Sequence, residues 1–141
     1  MPWPEEIRKV WFLVRRDLNM TKGKVGAQCA HGIVEVLLGD LLAQEVASTP
    51  RGEDGPWEEV RHVAPLLDWY RDGQTKVTLR VDDVSDLIFL KQQLVASRIL
   101  VREVIDNGTT MFDGEKTLTL LAVGPCYPSQ VKDILGHLKP L

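Results

Sequence analysis

The chain has 141 residues, of which 44% are hydrophobic and 26% are charged, and its formal net charge at pH 7 is −3. This composition is typical of one globular domain and excludes collagen-like, mucin-like and wholly disordered proteins. The negative net charge argues against a surface that is basic all over, so any contact with nucleic acid must come from a local basic patch.

The amino-terminal part predicts a strand followed by a long helix. Residues 9–15 (KVWFLVR) are an aromatic and β-branched run ended by a charge, which is typical of a buried strand that leads into a loop. Thr21 is a candidate N-cap, and apolar residues then recur at helical spacing to about Gln44. We therefore expect the first helix to follow the first strand directly.

The next segment predicts a loop and a second helix. Residues 50–56 contain two prolines and two glycines, which favours a surface loop inserted into a single domain spanning residues 1–141. A helical segment is predicted from Trp57 to Tyr70, with an interruption near Pro65.

The carboxyl-terminal half alternates strands and helices. Residues 75–81 alternate polar and apolar side chains and predict a half-buried strand. A helix opened by Asp82 and Asp83 follows, with an apolar side formed by Val84, Leu87, Ile88, Leu90 and Leu94.

Two more strands and a last helix are predicted beyond this point. The strands cover residues 100–105 and 116–123, and Gly124-Pro125 is expected to end the second of them. Ser129 is expected to cap the last helix, which reaches Leu138.

This order of elements predicts a three-layer α/β fold, in which a four-stranded mixed sheet carries helices on both faces. In open sheets of this kind, sites form where strands deliver their carboxyl ends into loops. Residues 16–24 and 106–117 are the two loops that meet this description.

The first of these loops contains Lys22-Gly23-Lys24 at the start of the first helix, where unpaired backbone N–H groups favour anions. Helical spacing also places Lys24, Gln28, His31 and Glu35 on one polar stripe. The alternative is an ordinary solvated helix face with a structural histidine at His31.

The second loop begins with Asp106 and continues with the hydroxyl side chains of Thr109, Thr110 and Thr117. A carboxylate can orient or deprotonate water, and hydroxyl or backbone N–H groups can stabilise an oxyanion, which are the two requirements of ester hydrolysis. The alternative is an Asp-Asn-Gly turn whose residues simply suit tight backbone geometry.

Several common enzyme and metal motifs are missing from the sequence. It has no GxSxG, GxxxxGK[ST], HExxH or GxGxxG motif. Its two cysteines, Cys29 and Cys126, are not in a CxxC or Cys/His spacing, so neither a zinc site nor a disulfide framework is expected. No apolar run approaches the roughly 18 residues of a membrane span and no secretory signal begins the chain. We therefore expect no membrane association and a cytoplasmic location, with an organelle as the alternative.

Five stretches of the sequence together resemble one known protein family. The longest and most specific is FLVRRDLNMTKGKVGAQCAH, which is similar to the amino-terminal motif of that family. The others resemble its second strand, catalytic loop, last strand and carboxyl terminus; they are residues 73–77, 106–117, 121–125 and 136–141. This family is the class II peptidyl-tRNA hydrolases of archaea and eukaryotes, and the resemblance covers nearly the whole chain in order.

The resemblance implies a homodimer that acts on peptidyl-tRNA in translation and recycles tRNA. The reaction is hydrolysis of the ester between the peptide and the 3′ ribose, without a metal or nucleotide cofactor. The resemblance assigns catalytic roles and tRNA contacts to separate sets of residues, the catalytic set being Lys22, His31, Asp106, Thr110 and Thr117.

Roles for individual residues follow from the resemblance as well. Asp106 would orient the hydrolytic water, Thr110 and Thr117 would hydrogen-bond the reacting carbonyl or the water, and Lys22 would offset negative charge. The tRNA contacts would come from Arg16, Lys24 and Gln28, with Arg16 and Lys24 meeting phosphates.

The loop after Asp106 departs from the family pattern at four positions, which are Asn107, Thr109, Met111 and Asp113. In the family these positions are usually Ala, Arg, Gln and Pro, so this chain loses one arginine and gains one aspartate near the RNA. Two alternatives to an active hydrolase therefore stay open: a catalytically weakened tRNA- or protein-binding adaptor, and a small esterase indifferent to tRNA.

Overall fold

A computed structural model describes residues 6–46, 63–108 and 112–141, with the backbone alone at residues 40–46 and 63. The predicted loop at residues 50–56 and the hydroxyl side chains of Thr109 and Thr110 lie outside the described residues. The elements in chain order are β1 (Lys9–Arg15), α1 (Lys22–Val46), α2 (Val63–Arg71), β2 (Lys76–Val81), α3 (Val84–Ala96), β3 (Val101–Asp106), β4 (Thr117–Cys126) and α4 (Pro128–Leu135).

The four strands form one mixed sheet in the order β2-β1-β4-β3. β1 and β2 are parallel, whereas β4 runs antiparallel to both of its neighbours, β1 and β3. The carboxyl ends of β1, β2 and β3 therefore meet the amino end of β4 at one edge of the sheet. The predicted α/β fold with a mixed sheet is confirmed, and this edge is where the two predicted loops lie.

Both faces of the sheet are covered because the central strands are apolar on both sides. Val10, Phe12 and Val14 of β1 pack in a cluster with residues of α1 and α2, whereas Trp11 and Leu13 pack on the opposite face with residues of α3 and α4. Burial of a central strand on both faces explains why its sequence is an unbroken hydrophobic run instead of an alternating one.

Helix α1 lies close to the sheet because residue 32 is a glycine. A Cβ atom on Gly32 would be 3.1 Å from the Phe12 ring and 3.2 Å from the Ala122 methyl group. Such distances are shorter than ordinary van der Waals contact, so any larger side chain would push the helix outward. This close packing brings the amino-terminal half of α1 against the ends of β3 and β4.

Strand β4 is longer than the sequence predicted. Gly124-Pro125 was expected to end it, but the strand continues to Cys126, and the Gly124 N–H donates to the Leu100 carbonyl at 2.9 Å. Gly124 has a φ of +99°, and a Cβ atom there would lie 2.8 Å from the Lys9 carbonyl oxygen. The glycine therefore permits a local irregularity within the strand instead of stopping it.

Two expectations about the last helix are wrong. It begins at Pro128, so Ser129 lies inside it, where its hydroxyl bonds the Glu6 carboxylate instead of capping the helix. It also ends at Leu135 instead of Leu138. Helix α2 is described from Val63 onward and includes Pro65, whereas residues 57–62 of the predicted helix lie outside the described residues.

The predicted apolar side of α3 is only partly buried. Leu87, Leu90 and Leu94 face the core, whereas Val84 and Ile88 are 36% and 47% exposed. Helical spacing turns these two side chains to the flank of the face that packs on the sheet. Within the part of the chain that the structure describes, no helix is long and apolar enough to cross a lipid bilayer.

Candidate active site

Asp106, the last residue of β3, lies buried at the edge of the sheet where the strands end. Its side chain is 7% exposed, and its Oδ2 atom accepts a hydrogen bond from the Gly108 N–H at 2.8 Å. Gly108 has a φ of +83°, and a Cβ atom there would lie 2.4 Å from the Glu115 carbonyl oxygen. Glycine is therefore required for the loop to turn this N–H group back onto the carboxylate.

Lys24, in the first turn of α1, forms an ion pair with this carboxylate. Its Nζ atom is 2.8 Å from Asp106 Oδ1, and the two side chains are 13% and 7% exposed. Thr21 accepts a hydrogen bond from the Lys24 N–H at 3.2 Å, which satisfies one of the free N–H groups at the start of the helix. The beginning of α1 and the turn after β3 therefore face each other across one cleft.

Gln28, one turn further along α1, is the second side chain that holds the carboxylate. It is 1% exposed, and its Nε2 atom donates to Asp106 Oδ1 at 3.2 Å. Its Oε1 atom accepts from the hydroxyl of Thr119, a fully buried residue of β4, at 2.7 Å. Thr119 thereby fixes which end of the amide points at Asp106, and we call Lys24, Gln28, Asp106 and Thr119 the carboxylate cluster.

The hydrogen bond from Lys24 lowers the pKa of Asp106, burial opposes this effect, and the Gly108 N–H adds to the lowering. The carboxylate therefore stays ionised at neutral pH. Among the described residues, Oδ1 accepts from Lys24 and Gln28 and Oδ2 from Gly108. These bonds occupy three of the about four acceptor positions of a carboxylate, so Oδ2 can still accept a hydrogen bond from a water. A carboxylate of low pKa is a weak base, which suits it to orienting a water more than to removing its proton.

A cavity of about 270 Å³ opens beside the carboxylate cluster. Asp106 and Asn107 line it from the end of β3, and His31 and Glu35 line it from α1. The polar stripe that helical spacing predicts on α1 therefore lies along the cleft, although Gln28 is buried against the sheet and does not face solvent. His31 is exposed and lines the same cavity as Asp106.

Lys22 and Arg16 are not part of the carboxylate cluster. Both line a neighbouring cavity of about 450 Å³, next to the end of β1. The Nε atom of Arg16 is 2.8 Å from Asp82 Oδ1, in an ion pair whose side chains are 52% and 68% exposed. The two predicted site lysines, Lys22 and Lys24, thus lie in different surroundings although they are two residues apart.

The two remaining predicted site residues are threonines. Thr117 is the cross-strand neighbour of Asp106, and its hydroxyl donates to the Glu115 carbonyl at 3.1 Å. Thr110 lies outside the described residues. The sequence reasoning did not select Thr119, although a hydroxyl inside the hydrophobic run of β4 was a usable signal, because a polar side chain at a buried position needs a partner.

Comparisons with known proteins identify the family of this chain. The family model described as peptidyl-tRNA hydrolase PTH2 matches residues 8–141. A probable peptidyl-tRNA hydrolase 2 of Drosophila melanogaster is 31% identical over 133 residues, which cover 94% of this chain and 61% of the fly protein. A peptidyl-tRNA hydrolase of Methanocaldococcus jannaschii is also 31% identical over 133 residues, covering 94% of this chain and 99% of the archaeal protein. The family resemblance of the sequence is confirmed, and the chain belongs to the peptidyl-tRNA hydrolase PTH2 family.

Proposed function

We propose that this protein hydrolyses the ester bond between peptide and tRNA in peptidyl-tRNA and releases the free peptide and free tRNA. Family membership over residues 8–141 supports this activity. The observation that carries it at the level of atoms is the Lys24–Asp106 pair at 2.8 Å, which places an ionised carboxylate at the rim of a cavity. No finding favours the adaptor alternative.

In the proposed mechanism, Asp106 orients the attacking water through the acceptor position on Oδ2 that none of the described residues occupies. The carboxylate needs no reorganisation during the reaction because Gln28 and Gly108 already hold it in place. Negative charge develops on the carbonyl oxygen as the water adds, and we assign the hydroxyl groups of Thr110 and Thr117 to hydrogen-bond the reacting carbonyl or the water. The bond to the 3′ oxygen of the ribose then breaks, and that oxygen leaves with the proton that the water gives up.

Basic side chains and the imidazole ring of His31 would complete the proposed site. Lys22 would offset negative charge from the neighbouring cavity, and His31, which lines the same cavity as Asp106, would contact the substrate there. Arg16 would bind tRNA phosphates, and the family resemblance also implies a phosphate contact for Lys24 and a tRNA contact for Gln28. The ion pair and burial in the carboxylate cluster instead favour positioning of Asp106 as the main role of Lys24 and Gln28.

The variant Asp106→Asn tests the function because it keeps the shape of the side chain and removes its charge. We expect kcat for peptidyl-tRNA cleavage to fall by about 100-fold or more, the usual size of a lost acid–base or water-orienting group. The matched control is Asp133→Asn, on an exposed position of α4, which should cleave at the wild-type rate. Equal rates for Asp106→Asn and wild type would remove Asp106 from the mechanism, and an inactive wild-type protein would refute the function.

We also propose that the protein forms a homodimer in the cytoplasm. Exposed apolar side chains on α1 support a self-association surface; Val34, Leu37 and Leu38 are 49%, 45% and 44% exposed. The free thiols of Cys29 and Cys126 suit a reducing compartment. Sedimentation equilibrium tests the homodimer, since a monomer at micromolar concentration would contradict it. Fluorescence microscopy of the tagged protein tests the cytoplasmic location.

A further inference from the structure

A second large cavity lies at the carboxyl end of β2, away from Asp106. It has a volume of about 500 Å³ and is lined by Arg16, Arg80 and Lys139, with Phe89 of α3 also on its wall. Phe89 is 57% exposed, so it is an aromatic ring that the core does not use. An exposed aromatic ring beside a group of cations is the combination that single-stranded nucleic acids bind, by stacking of a base and pairing of a phosphate.

The segment after α4 builds one wall of this cavity. It adds to the open edge of β2, where the Arg80 N–H donates to the Lys139 carbonyl at 2.9 Å and Leu79 pairs with Pro140 in antiparallel orientation. Arg80 and Lys139 are therefore opposite each other across the two strands, and the Cβ atoms of such pairs are about 5 Å apart. Two long side chains that start this close together can bring both of their cations to a single phosphate group.

Among the cations of the cavity, Arg80 is a better anion site than Arg16, because Arg16 already pairs with a carboxylate. Asp82 lines the cavity but is paired with Arg16, and Asp86 lies in the first turn of α3. The Arg16–Asp82 pair is mostly exposed, and such pairs contribute little free energy, so a phosphate can displace Asp82. Asp86 opposes an anion and limits its binding strength.

The cavity is connected to the candidate active site along the edge of the sheet. Arg16 lines both this cavity and the one that contains Lys22, and we call Lys22, Arg16, Arg80 and Lys139 the basic track. β2 is three strands away from β3, which corresponds to roughly 14 Å at the usual spacing of about 4.8 Å. A polynucleotide strand whose 3′ ester lies at Asp106 can reach the far end of the track.

We propose that the cavity at the end of β2 binds one nucleotide of the single-stranded 3′ segment of the tRNA substrate. Its phosphate pairs with Arg80 and Lys139, and its base stacks on Phe89. This proposal rests on the proposed function, and it extends the substrate site from the ester to a nucleotide several positions before the 3′ end.

The test compares a long and a short substrate. The variants are Phe89→Ala and the double variant Arg80→Ala/Lys139→Ala, with Lys132→Ala on the exposed surface of α4 as the matched control. The substrates are peptidyl-tRNA and an N-acetylaminoacyl ester of adenosine, which is too short to reach this cavity. We expect kcat/KM on peptidyl-tRNA to fall about tenfold for the double variant through KM, and about fivefold or more for Phe89→Ala. The rate on the adenosine ester should stay at the wild-type value.

Two further measurements separate binding from damage to the fold. The log–log slope of affinity for deacylated tRNA against salt should decrease by about 1.4 in the double variant, at about 0.7 for each lost contact to a single strand. Asp86→Asn should change the affinity in the opposite direction and tighten binding, which a loss of structure cannot imitate. The charge-conserving variant Arg80→Lys should retain most of the affinity.

Some outcomes would overturn the proposal. The subsite does not exist if the double variant and Lys132→Ala bind and cleave peptidyl-tRNA equally well, or if the adenosine ester loses as much rate as peptidyl-tRNA. If the wild-type protein cleaves neither substrate, the proposed function fails, and binding of deacylated tRNA by the same variants still decides whether the cavity holds a nucleotide.

Discussion

The carboxylate cluster and the basic track lie at the same edge of the sheet but use their charges differently. In the carboxylate cluster, the Lys24 side chain is 13% exposed and pairs with a buried carboxylate, which accepts further hydrogen bonds from Gln28 and Gly108. In the basic track, the Arg16 side chain is 52% exposed, and its partner Asp82 is still more exposed. Burial therefore fixes the geometry of the carboxylate cluster, whereas exposure leaves the charges of the basic track free to exchange partners.

This difference separates two parts of the proposed activity. Breaking a buried ion pair strongly lowers the free energy of unfolding, because the remaining charge has neither its partner nor solvating water. An exposed pair contributes little to stability, but its cation can attract phosphates over a distance that salt limits. We therefore expect changes in the carboxylate cluster to alter folding and turnover, and changes in the basic track to alter affinity and its dependence on salt.

The largest effect should follow from Lys24→Met, which removes the cation from the buried pair and keeps most of the side-chain volume. We expect the free energy of unfolding to decrease by about 3 kcal/mol at neutral pH, near the lower end of the range for a broken buried pair. Lys22→Met is the matched control, because Lys22 carries the same charge at an exposed position two residues before Lys24. Chemical denaturation measures both, and equal losses would contradict the distinction between the two regions.

The same variant should shift the pH dependence of activity. The hydrogen bond from Lys24 is the main cause of the low pKa of Asp106, so its removal raises that pKa, and the acid limb of kcat/KM should move to higher pH. Because this pKa is depressed in the folded protein, its contribution to stability is present above the unfolded pKa of about 3.9 and is lost as pH falls through the folded pKa. An acid limb unchanged in Lys24→Met would mean that Asp106 is not the group that titrates.

A smaller effect is expected from Thr119→Val, which conserves shape and removes the hydroxyl that orients Gln28. The Oε1 atom of Gln28 would then be buried without this donor, at a cost of about 1–3 kcal/mol in the free energy of unfolding. Turnover should fall as well, because the amide of Gln28 can rotate away from Asp106. Thr117→Val serves as the control for stability, since the Thr117 hydroxyl is only half-buried and bonds a loop carbonyl.

Thr119→Ser completes this test, because it restores the hydroxyl without the methyl group. Recovery of turnover by the serine variant would assign the effect to the hydrogen bond with Gln28. If the serine and valine variants were equally impaired, packing of the methyl group would explain the loss instead.

Much of this fold could be predicted from the sequence because its signals are local. The apolar run of residues 9–15 predicted β1 with its observed bounds, and the period of α1 placed Lys24, Gln28 and His31 on one side of the helix. The order of the elements then predicted which strand ends meet. Asp106 was selected because a carboxylate at the end of a strand lies at such an edge.

Long-range contacts could not be predicted in the same way. The partner of Lys24 is 82 residues away, and that of Thr119 is 91 residues away, so no local pattern distinguishes them from Lys22 and Thr117. The continuation of β4 through Gly124 depends on a hydrogen bond to Leu100, which exists only once the strands have paired. These contacts decide which of two similar residues is buried in the carboxylate cluster.

The smallest effect on the folded protein should follow from Arg16→Ala, in the middle of the basic track. Loss of its exposed pair with Asp82 should change the free energy of unfolding by less than about 1 kcal/mol. Affinity for tRNA should fall by a few-fold, with a decrease of about 0.7 in the salt slope, because one phosphate contact is lost. Asp82→Asn is the opposing variant: it releases Arg16 from its partner, so binding should tighten while stability again changes little. A loss of stability in Arg16→Ala as large as that in Lys24→Met would mean that exposure does not separate the two regions.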